Sequence, residues 1–193
     1  MTEIELKAWV DDPEAAVRRI RTFGSNEEEY DKADAYWLPA AAGGDRHSVL
    51  GSGVRVRRER RGLPGAEAVP DDAVVNFKRK EVRDGMEVND EREFAISDAS
   101  VFEELLQRIG FAVSVRKRKT GRSWKHDGMT MELSLVEGLG WFVELEILAE
   151  DDSTATVAAA RRRLLDALAR VGVPESRIEN RYYTEMLRER DAY

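Results

Sequence analysis

Along much of the chain, apolar and ionised residues alternate one for one. In residues 2–10, Ile4 and Leu6 alternate with Glu3, Glu5 and Lys7, the period of two that sends successive side chains to opposite faces of a strand. The pattern recurs at 53–60, where Val54 and Val56 alternate with Arg55 and Arg57, and at 73–81, where Val75 and Phe77 alternate with Asn76, Lys78 and Lys80. It returns at 87–96, with Glu91 and Glu93 opposite Phe94 and Ile96, and at 141–149, with Val143, Leu145 and Ile147 opposite Glu144 and Glu146. Further strands are predicted at 34–38, 111–119 and 129–136, and glycines 138 and 140 suit a hairpin between the final two.

Between the strands the period changes to that of a helix. Asp12 and Pro13 supply an N-cap and a first turn for a helix to about Phe23, with Gly24 as its stop. Ser97 or Asp98 opens a second, which carries Phe102, Leu105, Leu106 and Ile109 at helical spacing and ends at Gly110. A third covers 153–171 through Val157, Leu164, Leu165 and Leu168, and a fourth covers 182–190. Stretches 39–44 and 62–70, rich in Ala, Gly and Pro, read as loops. About eight strands and four helices in one domain predict an α+β fold.

One solvated strand with a polar face is ordinary. Here the polar face is ionic in strand after strand, and like charges stand at i and i+2: Glu3 and Glu5, Arg55 and Arg57, Lys78 and Lys80, Glu91 and Glu93, Glu144 and Glu146. Such pairs repel unless a counter-charge compensates them. A cation serves the acidic pairs and a polyanion the basic ones. Eight antiparallel strands can close into a barrel whose ionic face lines a wet tunnel, with amphipathic helices covering the apolar outside. The phase stays open in strand 111–119, where Lys117 and Lys119 lie on one face and Arg116 and Arg118 on the other.

Composition narrows the chemistry. The 193 residues carry 36% charged side chains and a net charge of -7, which argues against a generally basic surface for nucleic acid. Cysteine is absent and His47 and His126 are the two imidazoles; both are expected in exposed loops or turns. A metal would therefore be held mainly by oxygen, which favours a hard ion. No basic-then-apolar leader and no membrane-length apolar run are visible, so a cytoplasmic protein without a membrane partner is expected. The acidic run 27–29 reads as solvated surface.

The motifs then line up in order along the chain. Glu3-Ile4-Glu5-Leu6-Lys7 resembles the E-x-E-x-K signature of the CYTH family, or triphosphate tunnel metalloenzymes. Asp34-Ala35-Tyr36-Trp37 resembles its D-x-Y-aromatic strand, Arg55-Val56-Arg57 its R-x-R, and 76–80 its lysine-bearing strand. Val115 to Lys119 resembles V-x-K-x-R, 136–146 the V-E-G-L-G-x-F-x-E-x-E ending, and 183–187 the C-terminal Y-x-E-L-L. The sequence departs in two places. Lys119 stands where the family has arginine, and Ser134 where it often has aspartate, with Glu132 two residues earlier as a partial replacement.

The resemblance implies a closed eight-stranded antiparallel barrel. It assigns Glu3, Glu5, Glu144 and Glu146 to Mg2+ or Mn2+. Phosphate or substrate contacts fall to Lys7, Arg55, Arg57, Lys78, Lys80, Lys117 and Lys119, with Tyr36, Glu91 and Glu93 as further substrate residues. Lys7, Lys78 and Lys117 are carried over as candidate catalytic residues, and Lys117 and Lys119 become the inward pair. The expected substrate is ATP or inorganic triphosphate, and a homodimer is compatible with the pattern. The motifs lie nearest to class IV adenylate cyclases, which implies conversion of ATP to cyclic AMP and pyrophosphate. The alternatives are a triphosphatase acting on inorganic, thiamine or nucleoside triphosphate, and a non-catalytic polyphosphate-binding module.

Overall fold

The computed structural model describes residues 2–40, 53–62, 72–83 and 86–191. Most of the two predicted loops, and His47, lie outside the described residues. Eight strands are described: β1 (Thr2–Trp9), β2 (Ser25–Pro39), β3 (Val54–Gly62), β4 (Asp72–Arg83), β5 (Met86–Ile96), β6 (Phe111–His126), β7 (Met129–Val136) and β8 (Gly140–Ala149). Four α-helices accompany them: α1 (Pro13–Ile20), α2 (Ala99–Arg108), α3 (Thr154–Val171) and α4 (Tyr183–Asp191). All strand pairs are antiparallel, and the order β1-β5-β4-β3-β2-β6-β7-β8 closes where β8 returns to β1.

The apolar face of the barrel is its outer one. α1 and α3 cover it over β1, β7 and β8, where Ile4, Leu6, Ile20, Met131, Leu145, Leu164 and Leu168 are fully buried. α2 covers the opposite side, its Ala99 and Leu106 packing over Trp37, Val56 and Val75 of the sheet. α4 lies across one end and buries Tyr183 and Met186 against Phe142. Caps fix the helix starts: Asp12 accepts a bond from the Ala15 N–H and Asp98 from those of Ser100 and Val101. α3 stops at Gly172, whose φ of 84° is the left-handed geometry that ends helices. No described helix is long and apolar enough to cross a membrane.

Three elements differ from their sequence reading. α1 ends at Ile20 rather than Phe23, and residues 21–23 form a turn. β2 starts at Ser25, so Glu27 to Glu29 belong to a strand. Their carboxylates are held there by guanidinium groups, Glu27 by Arg21 and Glu29 by Arg122. β6 runs on to His126. His126 is accordingly a strand residue, half-buried, edge-on to the Phe23 ring and beside Arg170. Within this extension Gly121 is required by β7: a Cβ there would stand 2.2 Å from the Leu133 carbonyl oxygen and 2.7 Å from Ser134 Cα. Both are backbone atoms that cannot swing away. Gly121→Ala is therefore expected to cost about 1–3 kcal/mol, read as a lowered melting temperature; an unchanged melt would show that β6 and β7 can separate freely at this point.

Candidate functional site

Closing the barrel with its apolar face outward turns the ionic face into a tunnel of about 330 Å³. Eight acidic and eight basic side chains line it, with only tyrosines and threonines between them among the described residues. They are not mixed at random. Lys32 of β2, Arg55 and Arg57 of β3, and Lys117 and Lys119 of β6 come from three strands adjacent in the ring. Glu132 of β7, Glu144 and Glu146 of β8, Glu3 and Glu5 of β1, and Glu87 of β5 come from the four strands that complete the opposite arc. The tunnel thus has a mainly basic wall, with Glu59 of β3 among its cations, and a mainly acidic wall.

Two clusters hold the walls in place. On the basic wall, Asp34 is fully buried and receives both nitrogens of the Arg57 fork, at 2.7 and 3.0 Å, together with the Lys117 ammonium at 3.0 Å. Burial works against its charge, yet Arg57, Lys117 and Arg55 outweigh it and hold the carboxyl well below its ordinary range. Asp34 likewise holds the Arg57 guanidinium above its ordinary value against burial. The second cluster spans both walls. Lys119 reaches Glu132 at 2.8 Å and Glu144 at 2.6 Å, bridging two carboxylates that sit directly opposite one another on β7 and β8.

Lys32 and the Tyr30 hydroxyl also donate to Glu132, and the Tyr183 hydroxyl donates to Glu144 at 3.0 Å. Burial opposes the Glu144 charge, but the Lys119 ammonium prevails and sets it at about 2. Lys32 goes the other way. Burial is the main cause, only partly offset by Glu132, and lowers its ammonium to about 8. Lys7, the one cation on the acidic wall among the described residues, pairs with Glu87 at 3.0 Å. Lys7 and Lys117 both lie over the Tyr183 ring, at 4.8 and 5.1 Å from its centre.

The phase left open in β6 is settled here: Lys117 and Lys119 are buried and inward, while Arg116 and Arg118 are exposed outside, Arg118 on Asp31. Glu3, Glu5, Lys7, Tyr36, Arg55, Arg57, Glu93, Glu144 and Glu146 all reach the tunnel. Lys78 and Lys80 sit on β4, paired in register with Glu91 and Asn89 of β5; the side chains of Lys78, Lys80 and Glu91 lie outside those described. Lys32, Glu59 and Glu87 were not picked out from the sequence, nor were the hydroxyls of Tyr30 and Tyr183. Extending the alternation backward from Tyr36 and Asp34 would have reached Lys32 and Tyr30.

The profile of the CYTH domain family matches residues 1–183. The chain belongs to the CYTH domain family. Solved structures agree on the fold. The PH1819 protein from Pyrococcus horikoshii is 26% identical over 97% of this chain and 98% of its own, with a TM-score of 0.77. A candidate adenylate cyclase from Vibrio parahaemolyticus is 18% identical, with coverages of 97% and 98% and a TM-score of 0.74. HpAC1 from Hippeastrum, a candidate adenylyl cyclase described as revealing a dominant triphosphatase activity, is 18% identical, with coverages of 98% and 96% and a TM-score of 0.63. No curated protein matches the chain in sequence.

In this CYTH domain the oxygen-only donor set suits a hard divalent ion. Glu5 stands directly opposite Glu146 across the β1–β8 pair, and Glu3 lies two residues along the same face. Among the described residues, however, no three carboxylates or imidazoles converge on one point. Glu144, expected as a ligand, is instead engaged by Lys119 and Tyr183. An ion held by this wall would have to draw its carboxylates together.

The carboxylate shifts fix how stability depends on pH. Glu144 titrates near 4.3 when unfolded and at about 2 when folded, and Glu132 is also held low, Lys119 and Lys32 outweighing the effect of burial. Groups depressed in this way stabilise the fold above the unfolded value and lose that contribution as pH falls toward the folded one. The melting temperature should therefore drop steeply between about pH 4.5 and pH 2. Glu144→Gln should melt lower at neutral pH and show a shallower acid limb; equal limbs for both proteins would remove Glu144 from this role.

Proposed function

We propose that this CYTH domain is a metal-dependent triphosphatase that releases phosphate from a small triphosphate threaded into the tunnel. The observation that carries this reading is the lining itself. Among the described residues it is charge-balanced, divided into two walls and free of aliphatic side chains that would receive a nucleobase. Its volume also falls near the lower end of the roughly 300–1,000 Å³ of ligand cavities. A bare triphosphate would add about four negative charges to the tunnel, and an accompanying divalent ion would offset about half of them. Family membership and the oxygen donor set support Mg2+ or Mn2+ in that role.

On this reading Arg55, Arg57, Lys117 and Lys119 take the non-bridging phosphate oxygens, the arginines as planar forks and the lysines as point charges. Asp34 positions Arg57 and Lys117 before the ligand arrives, so little reorganisation is required as charge develops. Glu3, Glu5 and Glu146 would hold the metal facing those phosphates. When bound, such an ion would offset the negative charge that builds up on the phosphates in the transition state. Tyr183 and α4 close one end and limit entry of bulk water. Tyr36 and Tyr182 in the lining favour a second reading, in which a base stacks at that end and the substrate is ATP cyclised to cyclic AMP.

One assay separates these readings. With Mg2+ or Mn2+, inorganic triphosphate, thiamine triphosphate and ATP are supplied in turn, and phosphate, pyrophosphate and cyclic AMP are resolved. Phosphate release from inorganic triphosphate without cyclic AMP from ATP is expected; cyclic AMP with pyrophosphate would select the cyclase, and tight binding without turnover the binding module. Glu146→Gln should raise the metal requirement roughly tenfold or more, and an unchanged requirement would remove Glu146 from the ligand set.

Lys32 adds a pH signature. Its ammonium is the form that binds an anion, and in the empty tunnel it is lost above about pH 8. Triphosphate affinity should fall as pH rises through 8, by up to about tenfold per unit. Lys32→Arg should flatten that limb; retention of the full slope in the variant would assign it to another group.

A further inference from the structure

The ring of Tyr183 explains how α4 closes one end of the tunnel, but its hydroxyl is not needed for that. Tyr183 opens α4 and is buried there, edge to face with Phe142 at 5.0 Å between ring centres. A phenylalanine would pack in the same way. The hydroxyl instead donates to Oε1 of Glu144 at 3.0 Å, and the Lys119 ammonium donates to that same oxygen at 2.6 Å. Among the described residues Oε2 of Glu144 receives no bond, although Glu144 lines the tunnel. Burial, helped by the Glu144 charge, pushes the Tyr183 phenol well above its ordinary value, so it remains a donor at neutral pH.

We infer that Tyr183 is a positioning residue for the metal site: by holding Oε1 of Glu144, it turns Oε2 toward a divalent ion lying against Glu5 and Glu146. This rests on the reading that the acidic wall holds a metal. Glu146 lies two residues beyond Glu144 on the same face of β8, and Glu5 stands directly opposite Glu146. Two donors on one oxygen decide which oxygen is turned away from them. The engagement of Glu144 by Lys119 and Tyr183 therefore takes one oxygen and leaves the other to the tunnel. A carboxylate ligand depends on such hydrogen bonds for its direction, and their loss weakens metal binding by roughly 10–100-fold. Lys119 is a candidate phosphate contact as well, whereas the Tyr183 hydroxyl bonds to Glu144 alone. The tyrosine can hold the carboxylate while the lysine turns to an anion.

The test is calorimetric binding of Mn2+ alone to the full chain, with no triphosphate present. Tyr183→Phe removes the hydroxyl and keeps the ring over which Lys7 and Lys117 lie. It should weaken Mn2+ binding roughly tenfold or more. A hydroxyl with a merely structural role would lower the melting temperature of the metal-free chain and leave the Mn2+ dissociation constant unchanged. Glu144→Gln should also weaken binding, and adding Tyr183→Phe to it should weaken it little further, because the tyrosine acts through that carboxylate. Equal Mn2+ affinity in Tyr183→Phe and the natural chain, or full additivity of the two changes, would overturn the positioning role and leave the metal reading standing. Absence of Mn2+ binding by the natural chain would instead sink the metal reading itself, and this inference with it.

Discussion

An ionised group inside a closed barrel must find a partner of opposite sign, because the water that would solvate it has been displaced. That requirement organises the molecule. Asp34 sits at zero side-chain exposure only because Arg57 and Lys117 meet it from the two neighbouring strands. Glu132 and Glu144 face one another across a strand pair and would repel, were Lys119 not placed between them. In each case the partners come from different strands, so removing one residue disturbs two or three others. With the ionic face committed to the inside, the apolar face must point outward, and the helices α1, α2 and α3 become necessary as its cover. The usual relation of a sheet to its core is inverted to make this possible.

Satisfied pairs alone would make an inert plug. What gives the tunnel chemical potential is the separation of its charges into two arcs of adjacent strands. On the proposed reading a polyanion would lie along the cations of β2, β3 and β6 and a dication along the carboxylates of β1 and β8, the dication offsetting part of the polyanion's charge. The internal carboxylates Asp34 and Glu132 matter here as supports. They hold cations in place in the absence of ligand, which keeps the site pre-formed and limits the rearrangement that binding would otherwise require.

Much of this was legible in the sequence wherever a strand carries a clean alternation with like charges two apart. Glu3 and Glu5, Arg55 and Arg57, and Glu144 and Glu146 announce a face that needs compensation. Legibility failed where a second signal overlaid the first. In β2 the acidic run Glu27 to Glu29 conceals the alternation of Tyr30, Lys32 and Asp34, and a strand of fifteen residues looked like one of five. In β6 both faces are basic, so the alternation alone does not separate Arg116 and Arg118 from Lys117 and Lys119; the family resemblance favours the lysines as the inward pair, and in the structure Arg118 is received outside the barrel by Asp31. The role of Lys119 was beyond reach of local pattern altogether. It depends on β6, β7 and β8 being adjacent in the ring, which is a property of the closed sheet.

The ring order has one more consequence. β1 lies between β5 and β8, so the first strand to be synthesised waits for the last before the sheet can close. Until then the ionic faces stay hydrated, and no carboxylate has to give up its water for a partner that has not yet emerged. Desolvation, ion pairing and closure are thus deferred to the same late event, and a chain with so many distant pairings should reach it slowly. The charges that make the finished interior demanding to assemble also keep the unfinished sheet soluble while it waits.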